Sequence, residues 1–315
     1  DVSPDIFYDV AYTRSVTPDG KLWGLPWHVD PNFALMYNRS ILDEYGVTEI
    51  PNLDSLQAMG DFLGTFWDVR NGEQIMTTFM PHSETYGPVN SLQTWAYLNG
   101  ARTETFYDPE TRKVSFNDPI IVEALEWILD FKRQHVNDDR INQLHATLPE
   151  GMNRFQAGKS AVMVQTSAEL RIHYDMMPDE VGMIPMPSQA IWTGGWSFAM
   201  TAGGKQKEAA WELLKWITST NEGAEATLKY FDALSGKREN PYLDQLAQTD
   251  PVYAVFKEVM EKSERDHLWT WIPVEWATEF DEKWWSVMDG SMEPRAFLDH
   301  MTSYIQKLVD EKYGE

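Results

Sequence analysis

Two neighbouring stretches, Gly20-Lys21-Leu22-Trp23-Gly24-Leu25-Pro26 and Phe33-Ala34-Leu35-Met36-Tyr37, decide the fold of this chain. The first follows the turn-like Pro18-Asp19-Gly20 and predicts a short strand over residues 21–26. The second is a continuous apolar run, which is typical of a buried strand. A short helix over residues 38–45, ended by Gly46, is predicted next. Strands that alternate with helices in this way predict α/β layers.

The alternation continues towards the C terminus. Residues 107–116 predict a hairpin, and Asn117-Asp118-Pro119 predicts a helix start, because proline is favoured at the first helical position. Further strands are predicted over residues 160–165, 181–187 and 197–201. A helix is predicted over residues 205–219, with four apolar side chains directed inward: Ala209, Leu213, Leu214 and Ile217. Helices over residues 222–230, 252–262, 275–288 and 294–312 make the C-terminal third helix-rich.

Length, charge and composition restrict the classes of function. The 315 residues suffice for two domains of about 150 residues each. A net charge of −23 repels phosphate backbones and anionic lipid headgroups, so we expect no nucleic-acid partner and no membrane-surface partner. The absence of cysteine excludes disulfides and thiolate chemistry. No run of 18 uninterrupted apolar residues predicts a membrane span.

The chain is rich in tryptophan, with 14 of them beside 13 Tyr and 14 Phe. Aromatic faces stack on the apolar C–H face of sugar rings, and Trp and Tyr also carry a hydrogen-bonding edge. The alternative is that each aromatic ring fills a core, which is the commoner fate of such side chains. The excess as a whole favours a carbohydrate or another flat, partly apolar ligand.

Catalytic motifs do not emerge from the sequence. There is no G-x-S-x-G elbow, no H-E-x-x-H, no P-loop and no G-x-G-x-x-G. The seven His residues are scattered without metal-ligand spacing, so we predict no metal site and no cofactor. A glycosidase needs two placed carboxylates, which 49 acidic residues always allow by chance. The sequence therefore predicts a protein that is not an enzyme, with a carbohydrate-active enzyme as the alternative.

Five pieces in order carry a family resemblance. The segments are Gly20–Pro26, Ala34–Val47, Asn99–Pro119, Phe155–Met163, and Thr193–Trp196 with the helix over residues 205–219. Together they resemble the extracellular solute-binding protein family 1, the sugar-binding group that includes maltose-binding protein. One departure is that family members begin with β-α-β units of the first lobe, whereas here the Gly20–Pro26 strand comes almost immediately. The start of lobe one is therefore expected to be missing from this sequence.

The resemblance implies a two-lobed, type II periplasmic-binding-protein-like α/β fold with a helix-rich C-terminal region. The implied division is residues 1–28 as a remnant of lobe one, 29–187 as lobe two, 188–262 as the return to lobe one, and 263–315 as helices packing on lobe two. The lobes would close by a hinge on a carbohydrate, and the monomer would deliver it to the permease subunits of a bacterial ABC importer. Its location would be periplasmic or otherwise extracytoplasmic, with a lipid anchor as one form. A polyamine-binding member of the same fold is the remaining alternative.

The resemblance also selects ligand-contact residues. The first crossing between lobes is expected near residues 26–32, which gives Trp27, His28, Asp30 and Asn32. The loop after the strand over residues 160–165 gives Gln165, Ser167, Glu169 and Arg171. The return to lobe one gives Gly194, Gly195 and Trp196, because glycine lets backbone N–H groups approach a ligand. The aromatic and acidic cluster further on gives Trp269, Trp271, Glu275 and Trp276.

Trp95 is a last candidate, with core packing as its equal alternative. Asp30, Glu169 and Glu275 are the acidic groups that would suit a polyamine. For each of these positions an ordinary structural role is the competing interpretation.

Overall fold

A computed structural model describes residues 2–17, 20–265 and 272–314 of the chain. Its strands are β1 (Leu25–Pro31), β2 (Ala34–Asn38), β3 (Asp68–Arg70), β4 (Glu73–Met76), β5 (Tyr107–Asp108), β6 (Lys113–Val114), β7 (Val162–Gln165), β8 (Val181–Pro185), β9 (Thr193–Phe198) and β10 (Leu234–Ser235). Its α-helices are α1 (Asp9–Arg14), α2 (Arg39–Glu44), α3 (Leu56–Gly64), α4 (Pro88–Leu98), α5 (Thr103–Phe106), α6 (Pro119–His135), α7 (Asp138–Ala146), α8 (Ser167–Met176), α9 (Lys207–Ser219), α10 (Asn221–Phe231), α11 (Pro241–Ala247), α12 (Pro251–Lys262), α13 (Trp276–Met288) and α14 (Pro294–Tyr313).

Side-chain caps begin several helices where the sequence predicts a start. Asn38 accepts a hydrogen bond from Ile41 N at 3.0 Å and begins α2. Asp118 accepts one from Ile120 N at 3.0 Å and begins α6, whose first residue is the predicted proline. Such caps satisfy backbone N–H groups that have no partner inside the helix. The predicted helices over residues 38–45 and after residue 118 are confirmed.

Two antiparallel sheets form the centres of two lobes. The first has the strand order β10-β1-β9 and the second β7-β2-β8. The first strand was predicted over residues 21–26, but β1 runs over Leu25–Pro31 because residues 28–31 pair with β9. The first crossing between the sheets is therefore confined to Asn32 and Phe33, between the end of β1 and the start of β2. The crossing predicted over residues 26–32 is wrong in its extent.

The second lobe has a large sealed core. One face of its sheet, with Leu35 and Val164, packs with residues of α3, α4, α6, α13 and α14 in a single cluster of buried side chains. The largest fully buried side chains of the structure include three tryptophans of this lobe, Trp95, Trp276 and Trp284. Helix α6 contributes an inward apolar face to this core, since Ile121, Leu125 and Ile128 are fully buried.

Helix α12 lies between the two sheets. It packs against β8, β2 and α8 of the second lobe and also against β1 of the first. Phe256 of α12 shares a buried cluster with Val29 of β1 and with Ala34 and Met36 of β2. This helix therefore bridges the lobes beside the crossing. The domain boundaries given by the resemblance remain a prediction.

Helix α9 confirms the predicted element but not its inward face. Thr218 is the buried residue of α9, whereas Leu213 is 58% exposed and Trp216 is 42% exposed. The prediction that Leu213 points into a core is wrong in this structure, because no described element covers that side of the helix. In the described ranges, no helix is both long and apolar enough to cross a membrane.

Candidate functional site

The ends of strands from both sheets meet where the chain crosses between them. In the first sheet, Asp30 near the end of β1 lies opposite Gly194 near the start of β9. In the second, Ala34 at the start of β2 lies opposite Gln165 at the end of β7 and Pro185 at the end of β8. Antiparallel pairing places these ends at one edge of each sheet. We call this region, residues 28–34 with their strand partners, the junction.

The first lobe presents a stacked aromatic pair at the junction. His28 and Trp196 are cross-strand partners, and their rings stack at a centroid distance of 5.1 Å with an interplanar angle of 1°. The indole of Trp196 is 58% exposed, so one ring face is open to a ligand. Because side chains alternate along a strand, Asp30 lies on the same face of β1 as His28.

The Asp30 carboxylate is the second feature of this wall of the junction. It is half-buried, and none of the described residues donates a hydrogen bond to it or forms an ion pair with it. Burial raises the pKa of Asp30, and the positive charge of Arg14 opposes that rise. A partly desolvated carboxylate without a donor is unfavourable. A ligand hydroxyl or ammonium group would supply the missing donor.

His28 is neutral near pH 7. Burial, together with the nearby Arg14 guanidinium, lowers the pKa of His28 to about 4. A neutral imidazole has one N–H donor and one bare nitrogen acceptor, which suits a hydroxyl group that both gives and takes a hydrogen bond. Arg14 itself donates through Nη2 to the carbonyl oxygen of Thr193 at 2.9 Å.

Gly195 allows the two strands of this wall to approach. Its φ is +134°, and a Cβ atom built on it would lie 2.1 Å from the carbonyl oxygen of His28. Any side chain there would push β9 away from β1 and separate the Trp196–His28 pair. Gly194 faces Asp30 with more room, since its Cβ would be 3.6 Å from the Asp30 carbonyl oxygen. The contact predicted between these glycines and a ligand stays a prediction.

The second lobe contributes Tyr86 to the junction, a residue that the sequence analysis did not select. Its ring stacks on buried Phe33 at 4.9 Å with an angle of 11°, and its hydroxyl donates to Gln165 Oε1 at 2.9 Å. The side chain is 42% exposed. Tyr86 has φ +61°, a left-handed conformation that costs about 1–3 kcal/mol in a residue other than glycine. The available signal was the Tyr86-Gly87-Pro88 turn in a segment with mixed patterning.

Helix α8 begins at the junction directly after β7. Ser167 is its first residue, and Glu169 in its first turn takes a hydrogen bond from Thr166 Oγ1 at 3.5 Å. Partial burial raises the pKa of Glu169. The loop predicted after this strand is wrong, because Gln165 ends β7 and residues from Ser167 onward form α8. Gln165, Ser167 and Glu169 lie near the end of β7, and their contact with a ligand stays a prediction. Among the described residues, no cluster of three or more His, Asp or Glu side chains could hold a metal ion.

The fold and this arrangement can be compared with known proteins. The family model of the bacterial extracellular solute-binding proteins matches residues 1–252. This chain belongs to that family. Among solved structures, the sugar-binding protein MalE from Xanthomonas citri has a TM-score of 0.74 at 17% identity, covering 98% of this chain and 76% of that one.

Two other solved structures extend the comparison. The GacH receptor of Streptomyces glaucescens, solved unliganded and with acarbose, gives a TM-score of 0.71 at 16% identity, with 98% and 76% of the two chains covered. The cyclic alpha-maltosyl-1,6-maltose binding protein from Arthrobacter globiformis gives 0.69 at 17%, with 98% and 78% covered. At these identities the likeness shows the two-lobed fold of the solute-binding protein. The family places it outside the cytoplasm.

Two of the residues predicted in the first crossing point away from the junction surface. Trp27 lies next to His28 on the strand and packs on the other side, stacked on Phe198 at 4.6 Å and donating from Nε1 to Thr227 Oγ1 at 3.0 Å. Asn32 is 3% exposed, and its amide bonds the Ala190 carbonyl oxygen at 3.0 Å and the Trp192 N–H at 3.3 Å. In the solute-binding protein, Asn32 holds two crossing segments together. The structure does not support either as a ligand contact.

The Arg171 side chain is engaged in an ion pair inside the protein. Its Nη2 is 2.7 Å from each carboxylate oxygen of Asp250, and its guanidinium lies 5.0 Å from the centroid of the Tyr253 ring. The side chain therefore holds α8 against the start of α12. Because the Arg171 guanidinium is already paired in this way, the structure does not support the predicted contact between Arg171 and a ligand.

The predicted tryptophans of the second lobe differ in outcome. Trp95 is fully buried, stacks on Phe79 and donates from Nε1 to the Pro81 carbonyl oxygen at 3.0 Å. Trp276 is fully buried as well and packs edge-on against Phe116. Neither ring has surface to offer a ligand, so the structure supports the core alternative for both. Glu275 is exposed at the start of α13, and Trp269 and Trp271 lie outside the described residues.

Proposed function

We propose that this solute-binding protein binds a carbohydrate at the junction and serves as the ligand-binding subunit of a bacterial ABC importer. The observation that carries the proposal is the exposed Trp196 ring stacked on His28, beside the Asp30 carboxylate, which has no partner among the described residues. Sugars need an apolar ring face and fixed hydrogen-bond acceptors and donors at the same place. Tyr86 on Phe33 supplies a second exposed ring at the edge of the second sheet.

Proteins of the same fold agree in ligand class. Four solved proteins of this fold bind acarbose, cyclic alpha-maltosyl-1,6-maltose, chitin oligosaccharide and mannotriose, respectively. Each is a carbohydrate or a carbohydrate analogue. This agreement supports a carbohydrate as the ligand class here, and it leaves the particular sugar to experiment.

Closure would work through the three chain segments that pass the junction. These are residues 32–33, 186–192 and 263–265, and they are joined by hydrogen bonds from Asn32 to Trp192 and from Thr193 N to the Arg265 carbonyl oxygen. A ligand that touches Trp196 on one lobe and Tyr86 on the other would favour a closed arrangement. The shift is limited by the difference in affinity between the open and closed states.

The proposed activity is binding and delivery without chemical change of the ligand. The closed form would dock on the permease subunits of the importer as a monomer, in the periplasm or on a lipid anchor outside the cell. A carbohydrate-active enzyme would instead hydrolyse a chromogenic glycoside, and we expect no such turnover. A polyamine remains the second candidate, because the Asp30 carboxylate has no partner among the described residues and would suit an ammonium group.

A thermal-shift screen tests the proposal with maltotetraose, mannotriose, chitotetraose and spermidine as probes. We expect one of the sugars to raise the melting temperature. Trp196→Ala should weaken its binding about tenfold or more, as loss of a central aromatic contact does elsewhere. Asp30→Asn should also weaken it, because an amide accepts hydrogen bonds less strongly than a carboxylate.

The control is Trp285→Ala. Trp285 is 50% exposed on α13, which packs on α4 and α14, so its loss should leave the shift unchanged. A shift that persists undiminished in both Trp196→Ala and Asp30→Asn would show that the site is elsewhere. A response to spermidine alone would replace the carbohydrate by a polyamine.

A further inference from the structure

The turn over residues 80–87, which we call the Tyr86 turn, carries a ring into the junction from a strained position. Tyr86 has φ +61° and Gly87 has φ +107°. A conformation of this kind persists only where surrounding contacts hold it. Thr85 holds the end of the turn through its hydroxyl, which pairs with that of Ser91. The start of the turn is held by a different device.

Glu84 and Arg154 form that device. Glu84 accepts a hydrogen bond from Met80 N at 2.7 Å, which closes the turn on itself. The same carboxylate receives Nη2 of Arg154, at 2.6 Å to Oε2 and with a short contact to Oε1. Arg154 is 4% exposed, whereas Glu84 keeps about a quarter of its side-chain surface.

Arg154 is itself fixed by the second lobe. Its other amino group, Nη1, donates to Thr77 Oγ1 at 3.1 Å and to the Thr78 carbonyl oxygen at 3.4 Å. The Thr77 segment bridges Ser160 in parallel, so it continues the second sheet beyond β7. Arg154 therefore ties the Tyr86 turn to the edge of the sheet that ends in Gln165, the hydrogen-bond partner of Tyr86.

We propose that Arg154 and Glu84 are positioning residues. They hold the Tyr86 turn so that the Tyr86 ring stays stacked on Phe33, where it contacts the ligand. The inference rests on the proposed function, because it gives Tyr86 a ligand to meet. Charged hydrogen bonds with fixed geometry restrain direction, which an apolar contact does not do. Without the pair, the turn relaxes towards an unstrained conformation, and the ring leaves Phe33 and Gln165.

The groove beside the Glu84–Arg154 pair shows which other ionisable groups lie near the two side chains. An open groove beside the ion pair is lined by Glu84, His145, Met152, Asn153 and Met163. Burial and, next to it, the Arg154 charge lower the pKa of His145, whereas the Glu84 charge opposes this. Among the described residues that line this groove, Arg154 is the one Lys or Arg, so it is the permanent cation that faces the Glu84 carboxylate there.

The test is a double-mutant cycle on the whole chain with Arg154→Met and Tyr86→Ala. The quantity measured is the dissociation constant of the sugar that responds in the screen, and maltotetraose is the first probe. Arg154→Met should weaken binding about tenfold when Tyr86 is present and less than about twofold when it is alanine, because coupled residues do not act additively. Arg154→Lys, which keeps one charged donor, should fall between Met and the native residue.

Hydrogen exchange supplies a readout that needs no ligand. Arg154→Met should raise exchange over residues 80–91, because the turn loses its restraint. Ile128→Ala is the matched control, since Ile128 is fully buried on α6 in the core of the same lobe and is not part of the turn. It should lower the melting temperature without raising exchange over residues 80–91 and without changing the dissociation constant.

The outcomes separate the two proposals. Equal loss of affinity from Arg154→Met in both Tyr86 backgrounds, or unchanged exchange in the turn, overturns the positioning role while leaving sugar binding intact. If the native chain binds none of the probes, the proposed function fails and the exchange experiment still decides whether the pair holds the turn. Should Arg154→Met fail to fold, Glu84→Gln takes its place, because the amide oxygen still accepts from Met80 N while the charge pair is lost.

Discussion

Helices α6 and α9 have the same kind of apolar stripe but opposite surroundings. In the second lobe, α6 buries Ile121, Leu125 and Ile128 completely. In the first lobe, α9 leaves Leu213 and Trp216 exposed, and the neighbouring α10 ends with Tyr230 and Phe231 at 73% and 58% exposure. An amphipathic pattern therefore specifies a helix with an apolar face, while the elements packed against that face decide whether it becomes a core.

The largest expected difference between the lobes is the effect of removing a tryptophan. Trp95→Ala should lower the free energy of unfolding by about 3–5 kcal/mol, because it empties a packed core and removes the shorter of two hydrogen bonds to the Pro81 carbonyl oxygen. Trp216→Ala should change it by no more than about 0.5 kcal/mol, because the ring is already partly in water. Urea unfolding followed by circular dichroism measures both. A comparable loss in Trp216→Ala would show that α9 is covered in solution.

Replacing a glycine by alanine should also lower the free energy of unfolding by different amounts in the two sheets, with a smaller difference than for the tryptophans. Gly195→Ala should cost more than about 2 kcal/mol, because its Cβ meets the backbone oxygen of His28 and its φ is positive. Gly182→Ala should cost about 1 kcal/mol, since its Cβ, 2.2 Å from the ring of half-buried Tyr37, meets a side chain that can turn towards solvent. The same unfolding assay ranks them. Equal losses would mean that β1 and β9 separate easily.

The effect that should differ least between the lobes is a pH dependence of stability, which both share. Burial lowers the pKa of His28 in the first lobe and of His82 in the second to about 4, from an ordinary 6.5. The unfolded chain binds these protons first, so each histidine contributes stability that is complete above about pH 6.5 and is lost as the pH falls towards 4. His28→Asn and His82→Asn should each flatten the decline in unfolding free energy between pH 7 and 5. An unchanged slope in both variants would contradict the assigned burial.

Local chemistry explains which predictions succeeded. Asn38 and Asp118 cap helices through contacts within three residues, so the starts of α2 and α6 could be inferred from short motifs. The apolar run at Phe33–Tyr37 similarly contains the strand β2. The limits of β1 could not be inferred in the same way, because they depend on pairing with β9 more than 160 residues away.

The candidate site residues show the same division between positions that local sequence predicts and positions that depend on distant partners. Sequence and family resemblance selected the segment that holds His28 and Asp30, together with Gln165 and Trp196, and the structure brings these to the junction. The alternation of side chains along β1 turns Trp27 to the other face of the strand. Tyr86 was missed because its place depends on Phe33, Gln165 and the distant Arg154.

What the sequence determined by itself is those elements that local signals specify, such as β2, α2 and α6, and the family to which the chain belongs, because caps, turns and apolar periods act over a few residues. The strand predicted over residues 197–201 is shifted, since β9 runs over Thr193–Phe198 where it pairs with β1. Only the tertiary structure decided which aromatic rings are core and which face the junction. Trp95 and Trp196 are the same residue type, yet one is fully buried and the other 58% exposed. The physical reason is that burial and hydrogen-bond satisfaction are set by partners that are distant in the chain, and no local pattern encodes them.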